Sequence, residues 1–149
     1  MITNILDYLE NSVSLYPQKV VFSDSKKEIT YSELYKNAVC VASALISKGI
    51  QTKGAVVVFI DRNIESLVSF MGTVMSGNFY PVDRSLPAQR VKLIFETLNP
   101  KCAIIFQKDN KMLDEIGFSG ERLLFEEAVS FPANEAEIQK RRSHAIDTD

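Results

Sequence analysis

One histidine, two cysteines and six scattered glycines leave this sequence short of the residues that most often announce a site. A single imidazole cannot supply a metal cluster. Neither Gly-x-Gly-x-x-Gly nor Gly-x-x-x-x-Gly-Lys-Ser/Thr occurs, so two common glycine-rich phosphate loops are excluded, and no Gly-x-Ser-x-Gly elbow presents a nucleophile. Cys40 and Cys102 have no partner at metal-ligand or Cys-x-x-Cys spacing. They read as buried free thiols of a reducing compartment.

Long apolar runs are missing as well. The longest uninterrupted aliphatic or aromatic stretch, Ala55–Ile60, has six residues, far short of a membrane span. Near the start, Asp7 and Glu10 stand where a secretory leader would need a basic region followed by an apolar one. Charge of one sign is also lacking, since a net charge of −2 and a pI of about 5.5 give no field that would hold nucleic acid or an anionic membrane. These absences predict a cytoplasmic protein without nucleic-acid or membrane partners. What is present is ordinary: 149 residues, 46% hydrophobic and 24% charged, enough for one domain that needs no disulfide or metal staple.

The chain is organised around three short apolar runs, at 55–60, 79–82 and 102–106, each pair separated by one segment of helical period. Crossovers of that length join parallel strands, and near-continuous apolar runs belong to strands covered on both faces. The fold class is therefore α/β, a layered parallel sheet built on a βαβαβ unit. Ahead of it, Ile2, Ile5, Leu6, Leu9, Val13 and Tyr16 recur at helical spacing up to Pro17, predicting a short opening helix. Residues 19–23 and 28–30 then read as a hairpin around the polar turn 24–27.

Thr30-Tyr31-Ser32-Glu33 has the form of a capping box, and the helix it opens places Leu34, Ala38, Val41, Ala42 and Leu45 on one face before Gly49. The next helix carries Ile64, Leu67, Val68, Met71 and Met75, with Gly72 predicting a close backbone approach and Gly77 closing it. A third helix starts around Ser85-Leu86-Pro87, buries Val91, Ile94, Phe95 and Leu98, and stops at Asn99-Pro100. Later signals are weaker: a helical turn at 112–116, a short strand at 122–125, then a charge-rich stretch at 134–149 with no apolar stripe to dock it. Lys140-Arg141-Arg142 and His144 read as solvated.

Ligands of open parallel sheets bind outside the carboxyl ends of the strands. Here that edge is Asp61-Arg62-Asn63, Asp83-Arg84-Ser85 and Gln107-Lys108-Asp109. The two Asp-Arg pairs form a rim able to meet a phosphate or carboxylate, or else each Asp serves a turn or helix cap and each Arg is solvated. An Asp at a strand end also evokes a phosphoacceptor receiver domain, but the acidic pair and late lysine of that site are missing in order.

Several stretches together carry a resemblance. Ile29-Thr30-Tyr31-Ser32-Glu33-Leu34 is similar to the first core motif of adenylate-forming enzymes, the superfamily of acyl-CoA synthetases, nonribosomal peptide synthetase adenylation domains and luciferases. Met75-Ser76-Gly77-Asn78-Phe79-Tyr80-Pro81-Val82-Asp83 resembles the second, although Gly77 to Asp83 is one residue shorter than usual. Pro87-x-x-Arg90 and Asn99-Pro100-Lys101-Cys102-Ala103-Ile104-Ile105 resemble the family's next two stretches, so the likeness runs to about residue 106. The wording is most similar to the amino-acid-activating branch, including D-alanine-carrier protein ligases.

The resemblance implies an amino-terminal α/β subdomain at 1–132, with 133–149 a charged linker or tail leading towards a phosphate loop. It further implies ATP-dependent activation of a carboxylate to an acyl-adenylate, then transfer to a thiol of a carrier protein or coenzyme A. In the family the phosphate loop comes after a stretch similar to His144-Ala145-Ile146-Asp147-Thr148-Asp149. The substrate pocket, nucleotide contacts, magnesium-binding glutamate and catalytic lysine would lie further on. No catalytic residue, bound cofactor or metal is therefore assigned to this chain, with ATP and magnesium implied for the parent alone. Asp83 and Arg84 are the substrate-binding candidates, near the thiol-entry side. The partner expected first is the remainder of the adenylation domain. The rival reading is a naturally short, noncatalytic binding module that self-associates through exposed apolar surface.

Overall fold

The computed structural model describes residues 5–51 and 53–142. Helix α1 (Ile5–Leu15) turns Leu6 and Leu9 inward, while strands β1 (Val20–Ser23) and β2 (Glu28–Thr30) pair antiparallel as the expected hairpin. Helix α2 (Tyr31–Ser47) begins with both arms of the capping box: the Glu33 amide donates to Thr30 Oγ1 at 3.2 Å and the Thr30 amide to Glu33 Oε1 at 3.1 Å. Gly49, at φ 84°, takes the left-handed turn after it.

The main sheet comes next, in alternation with helices: β3 (Ala55–Ile60), α3 (Ile64–Val74), β4 (Asn78–Asp83), α4 (Ala88–Leu98) and β5 (Cys102–Ile105). Helix α5 (Asn110–Glu115) and strand β6 (Glu121–Leu124) complete it. The spatial order is β4-β3-β5-β6 and every pairing is parallel, so the weak strand signal at 122–125 extends the sheet beyond the βαβαβ unit. The short second motif leaves no irregularity: β4 pairs with β3 residue by residue, Val58 opposite Pro81 and Phe59 opposite Val82. Helix α4 starts later than expected, because Pro87 is extended and stands just before it (φ −66°, ψ 152°).

Residues alternate across the sheet with period two. Val56, Val58, Cys102, Ile104 and Leu123 join the core shared with α1, α2 and α3, while Val57, Phe59, Val82, Ala103 and Ile105 join Val91 and Phe95 of α4 and Leu113 of α5. Two cores on two faces make three layers. Helices α2 and α3 touch so closely at Gly72 that a Cβ there would lie 2.6 Å from Val41 Cβ, as its glycine predicts.

After the single turn α6 (Phe125–Ala128), the charged stretch departs from expectation. Helix α7 (Glu135–Arg142) forms inside it and packs on α2, with Ile138 only 2% exposed. The Asn134 amide donates to Ser43 Oγ at 2.8 Å, and Arg141 Nη1 donates to the Ser76 carbonyl at 2.7 Å, so Arg141 is not a solvated cation. One isoleucine amid charges gives no periodic signal, although it suffices as an anchor. Ile2 and the His144 to Asp149 stretch lie outside the described residues.

Candidate functional site at the carboxyl edge of the sheet

The chain moves from β3 outward to β4, then returns past β3 to β5 and continues to β6. The direction of winding therefore reverses between β3 and β5, and a crevice opens outside their carboxyl ends. Three segments supply the edge: the loop after β3 (61–63), the loop after β4 (84–87) and a short 3-10 turn after β5, Gln107–Asp109.

Arg84 ties these loops together. Its Nε and Nη2 donate to the two oxygens of Asp109 at 2.8 and 2.9 Å, Nη1 donates to Asp61 Oδ2, and Nη2 reaches the Phe59 carbonyl at 3.5 Å. Four of its five N–H donors are thus engaged within the protein. The guanidinium also lies 5.9 Å from the Phe59 ring centre and 5.8 Å from that of Phe106. Burial opposes its charge, and the carboxylates of Asp109 and Asp61 together more than offset that, holding Arg84 above the ordinary arginine range. Asp109 is itself 4% exposed and also accepts from the Phe106 amide at 2.9 Å. Arg84 is thus neither the open anion receptor nor the solvated residue that its sequence position offers.

Asp83 faces solvent and is occupied locally. Its Oδ1 accepts from the Ser85 amide at 2.8 Å and from the Ser85 hydroxyl at 2.7 Å, which lowers the carboxyl below its usual range. Asp61 also answers Arg84, and Asn63 caps α3 by accepting from the Ser66 amide at 2.9 Å. Cys102 is inert for another reason: burial, with Glu121 adding to it, pushes the thiol up to about 12.

Asp24, which the sequence marks only as part of a polar turn, belongs to this edge as well. Its carboxylate accepts from the amides of Lys26 and Lys27 at 2.8 and 2.9 Å and from Ile64, the first residue of α3, at 3.1 Å. Those three amides, Lys26 first, hold its carboxyl below the usual range. A cavity of about 710 Å³ lies between the hairpin turn 24–27, the 61–63 loop and residues 106–108.

The AMP-binding enzyme family matches this sequence over residues 9–147. The chain belongs to that family. Among its relatives, tyrocidine synthase 1 of Brevibacillus parabrevis is 26% identical over 125 residues, 83% of this chain and 12% of that protein. The D-alanine-D-alanyl carrier protein ligase of Lactiplantibacillus plantarum is 30% identical over 105 residues, 70% of this chain and 21% of the ligase. In three dimensions VinN superposes with a TM-score of 0.77 at 16% identity, covering 98% of this chain and 38% of VinN. The ATP-bound MatB of Rhodopseudomonas palustris gives 0.77 at 19% identity, over 89% of this chain and 29% of MatB. The fold is shared, and this chain spans well under half the length of these proteins.

The sequence has no glycine-rich phosphate loop, and among the described residues no three carboxylate, imidazole or thiol groups converge to hold a cation. Two carboxylates at the edge, Asp61 and Asp109, are already turned onto Arg84. Among the described residues, no helix is long and apolar enough to cross a membrane.

Proposed function

We propose that this chain is the amino-terminal α/β layer of a longer ligase that activates an amino acid as its acyl-adenylate. The activated acyl group then passes to a thiol of a carrier protein or coenzyme A. One observation carries the reading: the family match spans 9–147, yet the chain covers only 12% and 21% of relatives that include a peptide synthase and a carrier-protein ligase. In this reading ATP and magnesium bind through other parts of the protein, and these residues supply a rigid wall. Arg84 holds three strand ends in place, and Asp83 is the exposed group nearest the incoming thiol. A groove of about 510 Å³ between β4 and α4, lined by Tyr80, Pro81, Leu93, Ile94 and Leu98, is an apolar surface for the rest of the domain to cover.

ATP–pyrophosphate exchange tests this directly. Chain 1–149 with ATP, magnesium and each amino acid is expected to give no exchange, while the protein translated through the continuing reading frame is expected to give exchange with one or a few. Clear exchange by 1–149 alone would show that the other segments are dispensable. A longer protein silent with every amino acid would remove the amino-acid assignment. A stop codon directly after Asp149 would favour the noncatalytic alternative, for which the exposed groove and its Leu93, 58% exposed, is the supporting observation.

A further inference from the structure

Among the described strands, β4 and β6 form the two outer edges of the main sheet. Pro81 lies opposite Val58 in an unbroken parallel ladder, so its nitrogen, which carries no hydrogen, faces away from β3. Phe79 and Asp83, two residues to either side, direct their N–H groups the same way, while Tyr80 and Val82 direct theirs to β3. The outer edge of β4 therefore has two donors with a gap between them. Pro81 blunts this edge without closing it. Beside it runs the apolar groove shared with α4, where Leu93 is 58% exposed.

The crossovers say which edge the chain returns to. From β3 to β4 the connecting helix α3 lies in the core shared with α2, whereas from β4 to β5 and β5 to β6, in the opposite direction, α4 and α5 lie in the core of the other face. All three connections thus have one hand, as parallel crossovers in a sheet do in about 98% of cases. After β6 the chain changes face, and Ala128 of α6 and Ile138 of α7 join the core of α2 and α3. A crossover on that face keeps the same hand only when the next parallel strand lies on the β4 side. Helix α7 has already travelled that way. Arg141 Nη1 donates to the Ser76 carbonyl at 2.7 Å, two residues before β4 begins, so the chain reaches Arg142 near the amino end of β4.

We infer that the polypeptide following Arg142 pairs in parallel with the outer edge of β4 as a fifth strand and covers the groove beside it. Length permits this, since the seven residues 143–149 extend over roughly 23 Å and the six of β4 over roughly 20 Å. The inference takes from the ligase reading only that polypeptide continues past Arg142. Amide hydrogen exchange on chain 1–149, and on the protein translated through the continuing frame, tests it. In the chain that carries the strand, Phe79 and Asp83 are expected to exchange roughly a hundredfold more slowly than in a free peptide, as Tyr80 and Val82 do against β3. Phe79 and Asp83 near free-peptide rates in both proteins, with Tyr80 and Val82 slow, would overturn it. Were a stop codon to follow Asp149, chain 1–149 alone decides between those outcomes. Protection that rises with protein concentration would give the edge to a second copy and also overturn it. Leu93→Cys, labelled with a maleimide, separates covering from pairing: slow labelling with fast Phe79 and Asp83 amides would describe a cover without a strand and sink the pairing. Pyrophosphate exchange is read on the same longer protein. A protected edge without pyrophosphate exchange removes the ligase reading and keeps the strand, and the converse result keeps the ligase and removes the strand.

Discussion

Arg84 shows how a residue chosen for its charge serves a different purpose from the one its position advertises. Its partner Asp109 is 4% exposed and lies 25 residues away, so Arg84→Ala strands a buried carboxylate. Removing one member of such a pair costs about 3 kcal/mol, whereas replacing both with apolar groups is often close to neutral. Urea unfolding is expected to show that loss for Arg84→Ala and most of it recovered in Arg84→Met with Asp109→Leu. A second single-residue effect belongs to Asp24. Its carboxyl is lowered in the folded protein, so its contribution is complete above the ordinary aspartate value near 3.8 and disappears as pH falls through the lower, folded value. Asp24→Asn is therefore expected to lower the thermal midpoint at pH 7 and to close the gap with the parent as the pH falls through that lowered value. A constant gap across that range would assign the effect to shape rather than charge. The capping box at Thr30 and Glu33 was legible because its partners are three residues apart, while the Arg84–Asp109 pair was not, because nothing local links β4 to β5.

Elements were the level at which the sequence spoke most clearly. Short continuous apolar runs located β3, β4 and β5 and period-3.6 patterns the helices between them, since strands covered on both faces and helices with one buried stripe have few other ways to be written. The contact of α2 with α3 was foreshadowed by Gly72 alone. Gly72→Ala would gain about 1 kcal/mol of helix propensity but would place a methyl 2.6 Å from Val41 Cβ and 3.0 Å from the Ala38 carbonyl. The clash involves groups close to the backbone rather than a flexible tip, so overpacking wins. A net destabilisation of about 1–2 kcal/mol is expected by chemical denaturation, partly relieved in Gly72→Ala with Val41→Ala. Stabilisation by Gly72→Ala would mean that the two helices can slide apart at no cost.

Across the whole molecule, the layered sheet was legible and the closing contact was not. Helix α7 is charged along almost its entire length, and only Ile138 reveals that it belongs to the core. Ile138→Ala is expected to cost about 2–3 kcal/mol by urea unfolding, whereas Gln139→Ala, at an exposed position of the same helix, should cost less than about 0.5. A loss below about 1 kcal/mol for Ile138→Ala would return residues 133–142 to the status of a loosely attached linker.

The attachment of α7 also bears on the order in which the protein can be made. Asn134 bonds to Ser43 across 91 residues of sequence, and Arg141 bonds to Ser76 across 65. A ribosome delivers α2 long before it delivers the helix that covers part of it. Until then the nascent chain holds an apolar seam open to water, and chaperones have their longest opportunity to engage it there. A helix made late is thus the one that seals helices formed early.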